Sequence, residues 1–342
     1  MAEIKPNYDT KRKKLAEVIP LAAPFTVYIE QTKYCNFKCF YCIHSTRDEA
    51  NGEFRALGHR MQHMDEVFFE KIIRELKEFP QDGIKRIVFS GLGEPLMNPR
   101  LPDYVRMTVE AGIAGRVEVI TNGLLLTPEK SHALVAAGIT NINISVQGLD
   151  AAGYEKTCGL RIDFERYLEN LKYLYEHKGN VQIYIKAIDA TLGTKENEEK
   201  FFEIFSPFAD RIYIEHLVVM QQQMDGLREI VDGTKNFYGE ELDVNRKVCA
   251  QSFYFMQIGC EGDIFPCPVP GLGKNLSMGN AKEHTLTEIW NGSRRRGFLR
   301  KMLKKEKDQI PDCATCTCFN AINNPMEQLD DDAERLLPLF AD

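Results

Sequence analysis

Short apolar runs alternate with longer amphipathic segments through the first two thirds of the chain. Runs rich in valine and isoleucine predict six β-strands, at residues 25–30, 84–90, 116–121, 141–146, 181–188 and 211–217. Apolar positions at helical spacing predict helices between them, at residues 65–79, 163–177 and 196–208. Another helix should begin at Thr127-Pro128-Glu129, where a capping residue precedes a proline at the first helical position. This alternation predicts an α/β fold, either a parallel barrel or an open parallel sheet.

The flanking regions lack this alternation and divide the chain further. Residues 1–24 are charged and then interrupted by prolines, so we expect a lead-in segment without a core of its own. The predicted strands and helices occupy 25–220, followed by a polar linker at 221–248 and a second module at 249–325. The end of the chain, 326–342, contains three consecutive aspartates and is expected to be a solvated acidic tail.

Composition and charge narrow the class of protein. A hydrophobic content of 44% and a charged content of 27% are ordinary for a globular protein, and the net charge of −7 disfavours nonspecific nucleic-acid binding. No run of about 18 apolar residues and no apolar signal-peptide region is present, so we expect a cytoplasmic protein without a membrane span. One basic cluster, Arg294–Arg296 with Arg300, Lys301, Lys304 and Lys305, is interpreted as a solvated helix face, with a phosphate-binding patch as the alternative.

Ten cysteines in a cytoplasmic chain favour metal ligation over disulfides. Cys35, Cys39 and Cys42 follow the first predicted strand with the spacing C-x3-C-x2-C. Three thiolates can bind three irons of a [4Fe–4S] cube and leave the fourth iron open for a substrate or cofactor. A Cys3His zinc site that includes His44 is the alternative.

These three cysteines and the predicted βα units together resemble the radical S-adenosylmethionine (SAM) superfamily. An aromatic residue, Tyr41, precedes the third cysteine, and Ser90-Gly91-Leu92-Gly93-Glu94-Pro95 follows the second predicted strand like the family's glycine-rich motif. The resemblance implies a partial (β/α)6 barrel in which SAM chelates the open iron and yields a 5′-deoxyadenosyl radical. It also implies that SAM contacts Tyr41, Gly91, Gly93 and Glu94, because glycines let the methionyl amino group approach the sheet.

Polar residues at later strand ends extend this implied site. In the family, residues placed like Asn122 and Ser145 contact SAM, although ordinary strand-end turns are the alternative. Lys186 lies inside an apolar strand and is expected to bind a SAM carboxylate or a substrate group. Candidate substrate contacts at the last two predicted strand ends are Asp189, Glu215 and His216.

The C-terminal cysteines resemble the SPASM/twitch module, which carries auxiliary iron–sulfur clusters. Their spacing is similar to that of the 2-deoxy-scyllo-inosamine dehydrogenase type of twitch enzyme, and no cysteine follows Cys318 for a second auxiliary cluster. The resemblance therefore implies one auxiliary [4Fe–4S] cluster with four ligands: Cys249, Cys267, Cys313 and Cys316. Either Cys260 or Cys318 remains an alternative ligand, because spacing does not fix connectivity.

Cys158 and Cys260 are candidate catalytic thiols. A thiol near the mouth of the barrel can donate a hydrogen atom to a substrate radical, as in radical epimerases, and a buried inert cysteine is the alternative.

Two functions remain open from the sequence. The first is oxidation of a small polyhydroxylated substrate, a sugar, aminocyclitol or nucleotide sugar, with epimerisation as a variant. The second is peptide or protein modification, which the short segment before the first predicted strand disfavours, because many such relatives carry an N-terminal peptide-recognition domain. In either case a reductase such as flavodoxin or ferredoxin is the expected protein partner.

Overall fold

The structure is a computed structural model that describes residues 2–7, 12–218, 227, 229, 231–243, 245–314, 316–321 and 324–341. Nine strands form one sheet in the order β1-β7-β6-β5-β4-β3-β2-β8-β9, in which every neighbouring pair is parallel except β8 and β9. The strands are β1 (Glu3–Ile4), β2 (Thr26–Ile29), β3 (Arg86–Phe89), β4 (Arg116–Thr121), β5 (Asn141–Val146), β6 (Gln182–Ile188), β7 (Arg211–Glu215), β8 (Phe255–Ile258) and β9 (Ile264–Phe265). The six predicted strands are thus confirmed as β2–β7, the consecutive parallel strands of a partial barrel.

Helices connect these strands and cover one side of the sheet. Up to the end of the barrel they are α1 (Leu15–Val18), α2 (Glu53–Ala56), α3 (Glu66–Leu76), α4 (Leu101–Glu110), α5 (Pro128–Ala136), α6 (Ala151–Cys158), α7 (Phe164–His177), α8 (Asp189–Leu192) and α9 (Lys195–Phe205). Those that follow are α10 (Gln251–Tyr254), α11 (Leu286–Trp290), α12 (Ser293–Leu303), α13 (Pro311–Ala314) and α14 (Ala333–Leu336). The predicted cap of α5 is confirmed, since Thr127 accepts a hydrogen bond from the backbone N–H of Lys130.

Each barrel strand has an apolar side and a polar side. Val119, Ile144 and Ile185 belong to the fully buried core between the sheet and its helices. Alternate positions on the same strands carry polar residues that face the barrel interior, among them Asn143 and Lys186. The helices therefore stabilise the barrel from outside, while the interior and the carboxyl ends of the strands are left for polar chemistry.

The N-terminal segment is integrated into both halves of the molecule. It has no core of its own, as expected, but β1 pairs with β7 at the edge of the sheet. Asn7 then donates a side-chain hydrogen bond to Asn143 in the barrel interior, 2.8 Å away. Further along, Leu15 and Ile19 are buried in the core of the C-terminal module. The segment thus crosses the partial barrel and ties it to the second module.

The C-terminal module continues the barrel sheet directly. Strand β8 pairs with β2 in parallel register, and the β8–β9 hairpin extends that edge. The solvated tail expected after 325 is not observed, because Leu329, Leu336 and Phe340 are buried in the same core as Leu15. Residues 221–226, 228, 230 and 244 of the expected linker lie outside the described residues. No helix within the described ranges has both the length and the apolar composition needed to cross a lipid bilayer.

Candidate metal centres and cofactor site

The first three cysteines lie on a loop, residues 30–42, that leaves the carboxyl end of β2; we call it the cluster loop. All three are half-buried, and each is close enough to another to affect its pKa. Among the described residues, no three His, Cys, Asp or Glu side chains converge as ligands of a single metal ion.

The donor set of the cluster loop fits an iron–sulfur cluster. Burial raises the pKa of Cys35 and raises that of Cys42 to about 12, so metal binding must displace the thiol protons. Arg47 donates hydrogen bonds of 2.8 Å to the carbonyls of Cys35 and Phe37, which fixes the loop and places a cation beside the thiols. The sequence analysis did not single out Arg47, although a cation five residues after the last cysteine was a visible signal.

The glycine-rich motif packs against the cluster loop, at the place where the cofactor is expected. A methyl group added at Gly91 would lie 2.6 Å from the Glu30 side chain, and one at Gly93 would lie 2.3 Å from the carbonyl oxygen of Thr32. The backbone N–H of Glu94 donates to the carbonyl of Tyr34 at 2.8 Å. The glycines therefore allow two backbone segments to approach closely and hold Cys35 in place.

The Glu94 carboxylate links three parts of the site. It is buried and accepts hydrogen bonds from the Thr121 hydroxyl at 2.6 Å and from the backbone N–H of Asn122 at 2.7 Å. The Asn122 side chain in turn donates to Asn36 on the cluster loop at 2.8 Å. Glu94 and Asn122 thus lie in one network with the cluster loop, at the position where the sequence analysis expected cofactor contacts.

Tyr41, Ser145 and Lys186 lie around the mouth of the barrel. The Tyr41 hydroxyl donates to Gln147, a buried residue that the sequence analysis did not select. Ser145 and Lys186 are directly paired in the β5–β6 register, so their side chains share the polar side of the sheet. The Lys186 ammonium is 2.5 Å from the Glu215 carboxylate, which supplies the partner expected for a lysine within a strand.

The remaining strand-end candidates, Asp189 and His216, are hydrogen-bonded to each other and to the backbone of neighbouring loops. His216 Nδ1 lies 2.5 Å from the Asp189 carboxylate, and His216 Nε2 lies 3.0 Å from the carbonyl of Asp232. Asp189 also accepts from the backbone N–H of Leu217 at 3.0 Å. Both imidazole nitrogens are engaged within the chain, so this group fixes the loops after β6 and β7.

Cys158 lies directly behind the cluster loop. The backbone N–H of Lys38 donates to the Cys158 carbonyl at 2.9 Å, and the nearby Cys158 thiol, together with burial, raises the pKa of Cys39. Cys158 is buried, whereas Cys39 is half-buried. A hydrogen-donating thiol would have to act from this position next to a candidate metal ligand.

The C-terminal cysteines meet in a cavity that we call the thiol cavity. Five thiols line it: Cys249, Cys267, Cys313, Cys316 and Cys318. All four expected ligands are thus brought together, with Cys318 as a fifth thiol beside them. Soft sulfur ligands in an apolar cavity suit an iron–sulfur cluster. Burial raises the pKa of Cys249 and Cys313, so metal binding must displace their protons.

Lys307 holds the C-x2-C loop of this cavity. Its ammonium donates to the carbonyl of Cys313 and lies 3.5 Å from that of Cys316, while it also stacks over the Phe319 ring at 4.4 Å. A cation at this position stabilises additional negative charge on a group bound to the thiols. Lys307 belongs to no recognisable sequence motif, so its contact with the C-x2-C loop could not be predicted from the sequence.

Cys260 is separate from the thiol cavity. Cys260 is buried in the turn between β8 and β9, and its thiol donates to the carbonyl of Glu30, the first residue of the cluster loop, at 2.9 Å. Of the two alternative ligands, therefore, the structure brings Cys318 to the other thiols and Cys260 to the barrel side.

A second cavity lies between the two halves of the molecule; we call it the polar cavity. Its charged and polar lining residues are Glu30, Lys33, His59, Gln257, Glu261, Asp263 and Lys274. On one side, Glu30 accepts a hydrogen bond of 2.8 Å from the backbone N–H of Leu92 in the glycine-rich motif. On the other side, Leu272 lines both the polar cavity and the thiol cavity. The polar cavity therefore lies between the expected SAM position and the expected auxiliary cluster.

Buried charges in the polar cavity are only loosely paired. The Lys33 ammonium is 3.8 Å from Glu30 and 3.6 Å from Glu261, and it donates to His59 Nδ1 at 3.3 Å. His59 Nε2 then donates to the carbonyl of Gly271 in the second module at 3.2 Å. Gln257 is 1% exposed, and its side-chain oxygen has no hydrogen-bond partner among the described residues. Such a buried acceptor favours a ligand that donates a hydrogen bond.

Comparisons with known proteins agree with this arrangement. The family model described as the radical SAM superfamily matches residues 29–206, and one described as an iron–sulfur cluster-binding domain matches residues 249–317. The tungsten-containing aldehyde ferredoxin oxidoreductase cofactor-modifying protein of Pyrococcus furiosus is 24% identical, over 86% of this chain and 88% of its own. A PqqA peptide cyclase of Streptomyces rochei is 26% identical, over 87% and 85%.

Solved structures share the fold. BtrN in complex with AdoMet and 2-DOIA matches with a TM-score of 0.55 at 18% identity, covering 88% of this chain and 93% of BtrN. Streptococcus suis SuiB bound to S-adenosylmethionine matches with a TM-score of 0.60 at 19% identity, covering 90% and 74%. These structures share the fold of a partial barrel followed by a second module. The two family models show SAM and [4Fe–4S] clusters, one of them auxiliary, as the cofactors.

Proposed function

The chain belongs to the radical SAM superfamily, and from this membership we propose that it oxidises an alcohol of a small polyhydroxylated molecule, such as a sugar, an aminocyclitol or a nucleotide sugar. SAM bound at the cluster loop supplies a 5′-deoxyadenosyl radical that abstracts hydrogen from the substrate. The auxiliary cluster in the thiol cavity assists the oxidation. Cys249, Cys267, Cys313 and Cys316 are its proposed ligands.

The polar cavity is the observation that supports a small substrate. It adjoins both the glycine-rich motif and the thiol cavity, and its lining is largely polar and charged. Glu30, Glu261 and the unpartnered oxygen of Gln257 accept hydrogen bonds from hydroxyl or amino groups. Lys33 donates to substrate oxygens. A polyhydroxylated molecule offers many donors and acceptors in a small volume, which matches this lining.

Several residues of the chain prepare the site for this chemistry. Glu94 and Asn122 hold the glycine-rich motif, the end of β4 and the cluster loop in one orientation. The Tyr41–Gln147 hydrogen bond fixes the aromatic ring beside the third cysteine. Burial of the surrounding core excludes water, which protects a reactive radical from side reactions.

Peptide modification is the second candidate, and relatives favour it. PqqA peptide cyclases match most of this chain, and SuiB has also been solved bound to its precursor peptide SuiA. A peptide would have to reach the mouth of the barrel from outside, whereas the polar cavity is lined from both halves of the molecule. Radical epimerisation with Cys158 or Cys260 as the hydrogen donor is a variant of the first candidate.

Anaerobic turnover separates these functions. Protein with reconstituted clusters is incubated with SAM, a reductant and either candidate polyols or candidate peptides, and 5′-deoxyadenosine and products are followed by mass spectrometry. We expect a polyol to stimulate 5′-deoxyadenosine formation and to yield one ketone per SAM, with no net consumption of reductant. Stimulation by a peptide alone would contradict the proposal, and a product at the substrate's oxidation level that carries one solvent-derived deuterium would establish epimerisation instead.

A matched pair of variants connects the activity to the polar cavity. Glu261→Gln removes a cavity carboxylate, and we expect it to raise the KM for the polyol about tenfold or more, as expected for a lost charged hydrogen bond. Glu283→Gln changes an exposed carboxylate of the same module and should leave the KM unchanged. Equal KM values in the two variants would place the substrate outside the polar cavity.

A further inference from the structure

Helix α12 carries a basic surface on an acidic protein. Between residues 293 and 307 the chain has eight cationic residues and one acidic residue, although its net charge is −7. Arg294, Lys301, Lys304 and Lys305 are exposed. Arg294 and Lys301 are seven positions apart on one side of α12, and Lys304 and Lys305 follow directly after its last residue, Leu303. We call these four residues the basic face. In the described part of the chain, no carboxylate forms an ion pair with any of them.

An adjoining side of the same helix lines the thiol cavity. Phe298 and Met302 are lining residues of that cavity, and Leu299 is fully buried. Phe298 lies four positions after Arg294 and three before Lys301, so it is a neighbour of both basic side chains on the helix surface. Near the other end of this region, Lys307 contacts the carbonyls of the C-x2-C loop itself. The basic face is therefore the outer surface of the auxiliary-cluster site.

The acidic segment that follows does not neutralise this surface. Asp330 accepts hydrogen bonds from the backbone N–H groups of Lys247 and Val248, and Asp332 pairs with Lys14 and Arg335. These carboxylates are engaged elsewhere in the fold. The positive charge of the basic face is thus available to an external partner.

We propose that the basic face is the docking site of an acidic one-electron carrier protein of the flavodoxin or ferredoxin type, which exchanges electrons with the auxiliary cluster. One electron passes from the reduced auxiliary cluster to the oxidised carrier, so the cluster is oxidised and the carrier is reduced, and no covalent bond forms or breaks. This assignment goes beyond the proposed substrate chemistry, which requires an electron partner but does not locate it. Complementary charge steers such a carrier to the face, and the short path through α12 distinguishes it from a site for nucleic acid or lipid.

Equilibrium binding tests the assignment without any substrate. Anaerobically reconstituted protein is titrated calorimetrically with an oxidised, acidic flavodoxin at about 50 mM and about 300 mM salt. We expect binding that weakens about tenfold or more at the higher salt, because both charged surfaces are exposed. The double variant Lys301→Glu/Lys304→Glu should weaken binding at low salt by about tenfold or more.

A matched control separates the docking site from the overall charge. Lys172→Glu/Lys195→Glu makes the same change in net charge at exposed lysines of α7 and α9 and should bind flavodoxin within about twofold of wild type. Equal weakening in both double variants, or no binding by wild type, would overturn the proposal. Binding of a DNA duplex or of phosphatidylglycerol vesicles as tightly as flavodoxin, with the same dependence on Lys301 and Lys304, would also overturn it. None of these outcomes depends on which substrate the enzyme oxidises.

Discussion

Gly93→Ala tests whether the glycine-rich motif holds the cluster loop in place. The added methyl group would lie 2.3 Å from the carbonyl oxygen of Thr32 and 2.7 Å from that of Tyr34. Both neighbours are backbone atoms and cannot turn away as a side chain can, so the two segments must separate. Overpacking of this kind costs about 1–3 kcal/mol. Loss of the 2.8 Å hydrogen bond from Glu94 N–H to Tyr34 adds about 1 kcal/mol.

The consequence should appear both in stability and in metal content. We expect Gly93→Ala to unfold about 2–4 kcal/mol more easily than wild type and to lose about half of its iron after anaerobic reconstitution, because Cys35 follows Tyr34 directly. Thermal unfolding of the metal-free chain and a chemical iron assay measure the two effects separately.

Gly297→Ala is the matched control for this substitution. No atom lies within 4 Å of the position of its added methyl group, and the residue is in the middle of α12. Alanine there should keep the iron content and stabilise the helix by up to about 1 kcal/mol. A Gly93→Ala protein with wild-type stability and iron content would refute the reasoning.

Three further predictions concern the two cavities. Burial, and then Lys33, lower the pKa of His59 to about 4. As the pH drops from 6.5 to 4, His59 is protonated in the unfolded chain before it is protonated in the folded one, so the free energy of unfolding falls by about 3 kcal/mol. His59→Gln should lose this dependence of stability on pH in thermal unfolding at a series of pH values, and an unchanged dependence would exclude His59 as its source. Lys307→Met should lower the reduction potential of the auxiliary cluster by on the order of 50 mV in a redox titration, because a nearby cation is removed; an unchanged potential would contradict this. Cys318→Ser should retain about eight irons per chain whereas Cys316→Ser loses about half, and the reverse result would make Cys318 the ligand.

The barrel was predictable because its strands and helices carry strong local patterns. Strands β2–β7 are short segments rich in valine and isoleucine, and α3, α7 and α9 show helical periodicity with clear caps. In contrast, β1 has two residues and β8 has four, and their partners lie more than 200 positions away in sequence. No local pattern encodes such pairing, so the sequence analysis treated these regions as a lead-in segment and a separate module.

The cysteine spacings predicted which residues meet but not how every thiol is placed. Cys35, Cys39 and Cys42 are local neighbours, so one loop brings them together. The choice between Cys260 and Cys318 depends on tertiary structure: the hairpin turn carries Cys260 to Glu30, and a short helical turn carries Cys318 into the thiol cavity. The polar cavity was likewise hidden, because Lys33, His59 and Glu261 meet only when the two halves pack together.

The number of irons in cysteine variants tests the central claim of two cluster sites most directly. After anaerobic reconstitution we expect about eight irons and eight sulfides per wild-type chain. A variant with Cys35, Cys39 and Cys42 all changed to alanine should retain about four of each and form no 5′-deoxyadenosine. Changing Cys249, Cys267, Cys313 and Cys316 to alanine should also leave about four, at the other site. About four irons in the wild type, or zinc in place of iron at either site, would contradict the account.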